Sequence, residues 1–202
     1  TIVKPKLGLS AEQHARVAYE AWVGGIDLVK DDENLTSLSF SKFERRVKLT
    51  LKLREKAERE TGERKFYLPN ITAETRTMLE RIALVKELGG EYVMVDILTV
   101  GFGALESLRE ANEELKLIIH AHRAGHAAIT KNPKHGITMR VIAKLARLIG
   151  VDQLHVGNVI GKMFEGREDV LANCRALRKE FFGLKPVIPV ASGGLHPGHI
   201  PK

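Results

Sequence analysis

The chain of 202 residues is 44% hydrophobic and 28% charged, which is ordinary for a globular domain. Its 32 basic and 25 acidic residues leave a net charge of +7, but the charges are interspersed along predicted helices, which argues against nucleic acid as a partner and favours an anionic small substrate. A single cysteine, Cys174, excludes an internal disulfide and favours a reducing, cytoplasmic compartment, and no apolar run approaches the ~20 residues that cross a bilayer, so no membrane is expected.

Hydrophobic periodicity predicts seven strands that alternate with helices. The first strand covers residues 1–7 and precedes a helix that Ser10 caps, with Gln13 completing a capping box, and that ends near Trp22. The next units are a strand within residues 24–33 with a helix over 39–60, a strand over 65–70 with a helix capped by Thr72, and a strand over 91–98 with a helix over 104–115.

The second half of the chain continues the same alternation. A strand over residues 116–123 is followed by a loop to 136 and a helix over 137–148. A strand over 152–156 leads through a glycine-bracketed loop, 157–162, to a helix over 168–182. The last predicted strand covers 186–191 and ends in Ser192-Gly193-Gly194.

Strand and helix units that recur about every thirty residues are typical of a (β/α)8 TIM barrel and also of an open doubly wound sheet. Polar residues at or near the C-terminal ends of several strands decide between them, because only a barrel brings all those ends to one mouth. These residues are Lys4, Lys6, Lys30, Asp32, His120, His122, His155 and Ser192. We therefore predict an α/β fold, a TIM barrel with about seven units in this chain and the eighth missing.

The stretch Lys30-Asp31-Asp32-Glu33 ends the second predicted strand. Because side chains alternate along a strand, Lys30 and Asp32 face the same space, and Glu33 follows where the chain turns. Two carboxylates at this spacing suit a hard cation such as Mg2+. Lys30 neutralises them, forms a Schiff base when desolvation lowers its pKa, or is modified into an anion. A solvated turn is the simplest alternative.

Three features favour a phosphorylated substrate. Ser192, Gly193 and Gly194 follow the last strand, where barrels commonly bind phosphate through backbone N–H groups. Arg123, at the end of the fifth strand, is a second candidate anion clamp, because its guanidinium fork suits phosphate. Lys162, in its glycine-bracketed loop, can close over a substrate and stabilise negative charge. A plain turn and an exposed surface lysine are the alternatives.

Histidines are dense near the predicted mouth, with His120, His122 and His126 around the fifth strand and His155 on the sixth. His122 is favoured for function over His120, which lies deeper in the strand. Zinc bound by His120 and His122 is an alternative, but the carboxylates and the lysine favour a harder metal.

Lys4 and Lys6 are predicted to share one face of the first strand. A buried pair of ammonium groups would repel, which lowers the pKa of at least one and lets it exchange a proton near neutral pH. His14, on a helix, and His135, in a loop, are predicted to lie on the surface.

Together these motifs resemble the large subunit of ribulose-1,5-bisphosphate carboxylase/oxygenase (RuBisCO), and within it the archaeal-type form III group. The resemblance extends along nearly the whole chain, and six motifs in order are far more specific than any one of them. The motifs are Lys4-Pro5-Lys6-Leu7-Gly8-Leu9-Ser10, Gly24-Gly25-Ile26-Asp27, Lys30-Asp31-Asp32-Glu33-Asn34, His120-Ala121-His122-Arg123-Ala124 with His126, His155 with Gly161-Lys162-Met163, and Ala191-Ser192-Gly193-Gly194.

The resemblance implies a metal site. In that family the lysine that matches Lys30 takes up a CO2 molecule that is not the substrate, and the resulting carbamate holds Mg2+ together with the residues that match Asp32 and Glu33. The carbamate is also the base that the resemblance implies for removing the substrate C3 proton. The product of that step is an enediolate, which Mg2+ stabilises.

The resemblance also implies roles in carboxylation of ribulose 1,5-bisphosphate by CO2, with oxygenation by O2 as a side reaction. Lys162 would steady the CO2, His122 would assist hydration of the ketone, and Lys4 would protonate the final carbanion, with Lys6 tuning it. The implied substrate-binding residues are Arg123 and His155 for one phosphate, Gly193 and Gly194 for the other, Ser192 for a hydroxyl, and His126 within the site. The implied assembly is a homodimer or a higher homo-oligomer built of dimers.

The chain departs from the family pattern at Gly125, where methionine is usual, and at Val156 and Asn158, where Ser or Thr and then Thr are usual. These positions flank the phosphate histidine and the closing loop, so they bear on loop closure and CO2/O2 discrimination. The resemblance further implies that residues 1–202 are an incomplete catalytic barrel domain, without the N-terminal α+β domain and without the eighth unit. We therefore expect this chain to be part of a longer one.

Two other functions stay open from the sequence. A RuBisCO-like enolase or isomerase would act on another sugar phosphate, but such relatives typically lose several positions that match Lys4, His122, Lys162 and Ser192, which are all kept here. A non-catalytic fragment would serve as a folding or interaction module. Without the resemblance, the residues predict a metal-dependent barrel enzyme acting on a phosphorylated small molecule, with a Schiff-base aldolase using Lys30 as the alternative.

Overall fold

A computed structural model describes residues 1–199; residues 200–202 of the predicted domain lie outside it. Parallel strands alternate with helices, which makes the domain an α/β fold as predicted. The strands are β1 (Leu28–Lys30), β2 (Phe66–Leu68), β3 (Tyr92–Asp96), β4 (Ile118–His122), β5 (Gln153–Gly157) and β6 (Ile188–Ala191). The helices are α1 (Ala11–Val23), α2 (Phe43–Thr61), α3 (Thr75–Glu87), α4 (Ile97–Val100), α5 (Phe102–Leu115), α6 (Ala127–Thr130), α7 (Met139–Ile149) and α8 (Arg167–Arg178), with a 3-10 turn at Pro197–His199.

Every strand pair is parallel, and the strands follow the order of the chain. β1 pairs with β2 in one sheet, and β3, β4, β5 and β6 form the other. Single bridges from Ile2 to Lys30 and from Asn70 to Met94 extend this order. Because parallel neighbours run in one direction, their C-terminal ends lie at the same edge. Lys30, Asp96 and His122 each end a strand there.

One hydrophobic cluster between the strands and the helices holds this edge in place. Trp22 is fully buried, and its Nε1 donates to the Phe66 carbonyl (3.3 Å), which ties α1 to β2. Ser10 and Gln13 form the predicted capping box at the start of α1. Among residues 1–199, no helix is long and apolar enough to cross a membrane.

The first predicted strand is wrong in its extent. Over residues 1–7, the backbone bonds to β1 run from Val3 N to Lys30 O (3.1 Å) and from Lys30 N to Thr1 O (3.0 Å). Pro5 has no N–H with which to continue the ladder, and the lysines on either side of it are exposed. Residues 1–199 therefore contain six strands where seven were predicted, arranged in two parallel sheets.

Two predicted helix ends are also wrong. α2 begins at Phe43 and not at residue 39, because a tight antiparallel bridge occupies the chain just before it. Phe40, which the prediction placed within the helix, is 42% exposed. α8 ends at Arg178 and not at residue 182, and Phe182 is 84% exposed, so it has no core to pack against.

Thr72 does not cap α3 as predicted. The carboxylate of Glu74 accepts from the backbone N–H groups of Arg76 (2.9 Å) and Thr77 (3.2 Å) and serves as the cap. Thr72 is buried, and its hydroxyl accepts from the Asp96 backbone N–H (2.9 Å). The Thr72 hydroxyl is therefore engaged in a tertiary hydrogen bond and is not available to cap α3, which is the role that local spacing predicted.

Candidate active site

Asp31 is the buried anchor of the charged stretch after β1. Its carboxylate is fully buried, and side chains from α1, α2 and β2 converge on it. Its partners are Arg46 Nε (3.3 Å) and Nη2 (3.2 Å), Tyr67 Oη (2.6 Å), the Asn70 backbone N–H (3.0 Å) and His14 Nε2 (3.0 Å). Because successive side chains of an extended chain point to opposite sides, this anchor turns Lys30 and Asp32 toward the strand edge.

The partners of Asp31 also keep it charged. Burial alone would raise the pKa of this carboxyl, but Arg46, His14 and Tyr67 together hold it well below its usual range. Burial and the neighbouring Asp31 charge raise the pKa of Tyr67, which stays a neutral donor. The prediction that His14 lies on the surface is wrong, because His14 is 2% exposed and faces this carboxylate.

The amine of Lys30 lies beside carboxylates at the end of β1. Its Nζ donates to the Asp31 carbonyl (3.0 Å) and lies 3.8 Å from Glu33 Oε2 and 3.5 Å from Met94 Sδ. Burial lowers the pKa of Lys30, and the attraction of Glu33 and Asp32 opposes that effect without cancelling it. The structure thus gives this lysine both a poorly hydrated amine and acidic neighbours.

Asp32 is held from two sides at the same edge. Its Oδ1 accepts from the backbone and side-chain N–H groups of Asn34, both at 2.8 Å, and its Oδ2 pairs with the Lys4 ammonium. Lys4 reaches the site from outside, since its side chain is 55% exposed. Lys6 is exposed as well. The idea of a buried Lys4 and Lys6 pair is therefore wrong, because water reaches both side chains.

Asp32 and Glu33 offer oxygen atoms of the kind that Mg2+ prefers. Within residues 1–199, however, no three or more His, Cys, Asp or Glu side chains are grouped to hold a metal ion. An ammonium at Lys30 would repel a cation, whereas an anionic group on the same nitrogen would add a further oxygen donor. The donor set therefore fits Mg2+ on the condition that Lys30 is modified.

Asp96 orients His122. The register of β3 and β4 places the two residues side by side, and His122 Nδ1 lies 2.8 Å from Asp96 Oδ1. This contact leaves His122 Nε2 as the ring nitrogen available to a substrate. The sequence interpretation missed Asp96 because it stands in an apolar run; a carboxylate at the end of a buried strand was the available signal.

His120 and His155 form a chain of hydrogen-bonding contacts across β4 and β5. His120 Nδ1 lies 2.7 Å from Gln153 Oε1, His120 Nε2 lies 2.8 Å from His155 Nε2, and His155 Nδ1 lies 2.6 Å from Ser192 Oγ. Both nitrogens of His120 are used here, which argues against the zinc alternative with His122. Burial lowers the pKa of His120 to about 4 and lowers that of His155, so both rings are neutral near pH 7.

A cavity of about 470 Å3 is lined by residues of β1, β2, β4, β5 and β6. A cavity of this size suits a small phosphorylated ligand. Six of the residues singled out in the sequence line it, namely Lys30, His120, His155, Ser192, Gly193 and Gly194. The structure therefore brings together residues that lie up to 164 positions apart, from residue 30 to residue 194.

Arg123 follows β4 and is buried, but it is already paired. Its Nη1 lies 2.5 Å from Glu165 Oε1, and His126 Nε2 lies 3.6 Å from the same oxygen. Burial lowers the pKa of Arg123 and lowers that of His126 to about 4. The sequence interpretation missed Glu165, because nothing in the local pattern links this loop carboxylate to an arginine that follows a different strand.

The loop that carries Lys162 is tied to the turn after β6. Lys162 N donates to Gly193 O (2.9 Å), and Asn158 Nδ2 donates to Ser192 O (2.5 Å) and to Gly193 O (3.0 Å). A Cβ on Gly161 would lie 2.2 Å from Gly193 O, so the close approach of the two segments requires glycine there. Asn158, one of the departures from the family pattern, thus supplies two of the ties.

This arrangement defines a class of α/β domain with a polar site at the C-terminal ends of its parallel strands. Residues 1–202 match the family described as ribulose bisphosphate carboxylase large chain, catalytic domain. The chain belongs to this family, and the resemblance found from the sequence motifs is confirmed.

Three archaeal relatives illustrate the similarity. The chain is 54% identical to the ribulose bisphosphate carboxylase of Methanocaldococcus jannaschii over 216 residues, covering 100% of this chain and 50% of that protein. It is 52% identical to the octameric RuBisCO of Pyrococcus horikoshii, solved with sulfate ion, with a TM-score of 0.96 over 100% of this chain and 47% of that one. For the dimeric RuBisCO of Hyperthermus butylicus, the identity is 49% and the TM-score 0.90, over 98% and 49% of the two chains. The chain thus spans about half the length of these relatives.

We predict that Asp31→Asn lowers the free energy of unfolding by about 3–5 kcal/mol, because it leaves the buried Arg46 guanidinium uncompensated. Urea denaturation followed by circular dichroism measures the change. Glu12→Gln is the matched control, since Glu12 pairs with Arg45 on the surface, and we expect no measurable change there. If Asp31→Asn lowered the free energy of unfolding no more than Glu12→Gln does, the anchoring role of Asp31 would be contradicted.

Stability should fall as the pH drops from about 6.5 to about 4. The folded protein keeps His120 neutral with a pKa of about 4, whereas the unfolded chain takes up that proton near its ordinary pKa of about 6.5. The unfolded state therefore binds more protons in this window, which costs up to about 3 kcal/mol. His120→Gln should reduce the slope of stability against pH, and His135→Gln, in an exposed loop, should leave it unchanged. Equal slopes in both variants would refute this origin of the acid sensitivity.

Proposed function

We propose that this chain supplies the barrel side of the active site of a ribulose-1,5-bisphosphate carboxylase/oxygenase. The observation that carries the proposal is the largely buried amine of Lys30, which lies 3.8 Å from Glu33 and lines the cavity shared by five strands. The relatives are about twice as long as this chain. We therefore propose that the domain is an incomplete (β/α)8 barrel, which an eighth unit and an N-terminal α+β domain complete in the full-length subunit.

Lys30 would be the point at which the metal site is assembled. Addition of CO2 to its neutral amine, with loss of a proton, would give a carbamate whose oxygens join those of Asp32 and Glu33 in the all-oxygen set that Mg2+ prefers. Burial favours the reactive neutral amine because it lowers the pKa of Lys30. Lys4 would leave Asp32 when the metal binds, which its exposed side chain permits. Bound there, Mg2+ would supply a Lewis acid for the charge that develops on the sugar oxygens.

The reaction adds CO2 and water to ribulose 1,5-bisphosphate and yields two molecules of 3-phosphoglycerate. Modified Lys30 would remove the C3 proton, and Lys162 would hold the CO2 that is being added. His122, with Nδ1 engaged by Asp96, would use Nε2 to assist the attack of water on the ketone. Lys4 would protonate the carbanion left by carbon–carbon cleavage, with Lys6 influencing its charge. In oxygenation, O2 would take the place of CO2.

The two phosphates would bind to two different sets of residues. Arg123 and His155 would hold one, with His126 beside them, and the backbone N–H groups of the Gly193 and Gly194 turn would hold the other. Ser192, whose hydroxyl contacts His155, would bind a substrate hydroxyl.

We also propose a homo-oligomer built of dimers, located in the cytoplasm. The support for the assembly is that the relative from Pyrococcus horikoshii is octameric and the one from Hyperthermus butylicus is dimeric. The support for the compartment is the single cysteine, which precludes an internal disulfide.

The proposal predicts that the full-length protein, given ribulose bisphosphate, Mg2+ and labelled bicarbonate, forms acid-stable label in 3-phosphoglycerate. Lys30→Ala should reduce the label by at least about a hundredfold, because it removes both a metal ligand and the base. Lys52→Ala, on the exposed face of α2, should leave it unchanged.

Other outcomes would point to the alternatives. Consumption of the sugar phosphate without fixed label would indicate the enolase or isomerase, and no turnover by the full-length protein would indicate a non-catalytic role. Label that persisted in Lys30→Ala would refute the assignment of Lys30.

A further inference from the structure

The carboxylate of Glu165 occupies the position at which a bound anion would contact the Arg123 guanidinium. Both side chains are almost completely buried, at 5% and 4% exposed, and Glu165 Oε1 lies 2.5 Å from Arg123 Nη1. His126 Nε2 lies 3.6 Å from the same oxygen, and burial lowers the pKa of His126 to about 4, so this second neighbour is neutral near pH 7. A carboxylate therefore already occupies the candidate phosphate clamp.

The pair leaves hydrogen-bonding capacity unused. Among the described residues, neither Nη1 nor Nη2 of Arg123 and neither carboxylate oxygen of Glu165 makes a hydrogen bond of good geometry, although the two charges are in contact. A guanidinium has five N–H donors, and a buried charge whose donors are incompletely used is costly. Arg123 consequently retains donors for a stronger acceptor.

Because Gly157 has no side chain, there is room beside it for the Arg123 and Glu165 pair. Its φ is +90°, and a Cβ there would lie 2.8 Å from Arg123 Nη2 and 3.4 Å from Glu165 Cδ. Glycine is thus required at the end of β5 both for its backbone conformation and for the approach of the guanidinium. The position of the pair follows from the sequence of the strand end and not only from the loop.

Glu165 belongs to the same loop as Lys162, three residues further along. The loop is held at Lys162 by the bond to Gly193 O (2.9 Å) and at Phe164 by stacking on the His126 ring, with centroids 5.7 Å apart. The third point of attachment is Glu165 on Arg123. Displacement of Glu165 from Arg123 would therefore move the segment that carries Lys162.

We propose that Glu165 is a positioning residue whose carboxylate holds Arg123 in the absence of substrate and is displaced when a substrate phosphate binds there. A phosphate dianion accepts stronger charge-assisted hydrogen bonds than a carboxylate, and two anions at one guanidinium repel each other. Occupation of Arg123 by phosphate is thereby coupled to the position of the Lys162 loop. This inference rests on the proposed function for the identity of Arg123 as a phosphate ligand.

Calorimetric titration of the full-length protein with inorganic phosphate tests the competition. Glu165→Gln should bind phosphate about fivefold or more tightly than the wild type, because it removes a charged competitor for Arg123. Glu165→Asp should stay close to the wild type. Glu168→Gln is the matched control, since it removes the same charge from an exposed position in the first turn of α8 and should change the affinity less than about twofold.

Hydrogen–deuterium exchange over residues 158–166 tests the coupling, which a purely structural role for Glu165 would not produce. In the wild type, phosphate should speed exchange in this segment. In Glu165→Gln, exchange should already be fast without phosphate. Phosphate affinity in Glu165→Gln equal to or weaker than wild type, or unchanged loop exchange, would overturn the proposal.

Arg123→Gln separates this proposal from the proposed function. If phosphate binding is lost in Arg123→Gln but unaffected by Glu165→Gln, only the role of Glu165 is refuted. If phosphate binding does not depend on Arg123, the assignment of Arg123 as a phosphate ligand is refuted, and with it this inference.

Discussion

The buried contact between Asp31 and Arg46 is the interaction on which the rest of the site depends. Asp31 stands between Lys30 and Asp32, so a carboxylate fixed inside the domain sets the direction of both neighbours. Its partners come from α1, α2 and β2, which ties the first two strand and helix units to one turn. A buried charge is tolerable only when such partners are all present. The turn that presents the candidate metal ligands is therefore held in place by electrostatic contacts.

Neutral histidines and basic side chains occupy different positions around the cavity. Desolvation keeps His120 and His155 neutral, and their ring nitrogens connect the Ser192 hydroxyl to Gln153 Oε1, which accepts from His120. Exposed lysines, among them Lys4 and Lys162, lie at the rim and in the loops. Under the proposed function, an anionic substrate would meet these lysines first and then the largely buried Lys30 and Arg123, whose charges are offset by their acidic neighbours Glu33 and Glu165.

Local chemistry accounts for what the sequence predicted well. The capping box of α1, the glycine after it, and the strands β3, β4 and β5 follow from spacing and apolar periodicity, and charged residues at strand ends were recognisable as a group. The prediction of the first strand failed at Pro5, and that of the α3 cap failed because a tertiary bond used Thr72. The sequence interpretation missed Asp96 and Glu165, and it assigned no anchoring role to Asp31. All three act through side chains on other elements, and no single sequence shows which distant residue faces a carboxylate.

The central claim is that Lys30 becomes a carbamate and completes an Mg2+ site with Asp32 and Glu33. The most direct measurement is 13C NMR of the full-length protein in 13C-labelled bicarbonate, with and without Mg2+, in the wild type and in Lys30→Arg. We expect one slowly exchanging carbamate carbon that requires Mg2+ and disappears in the variant. Absence of that signal in the wild type, or its persistence in Lys30→Arg, would refute carbamate formation at Lys30.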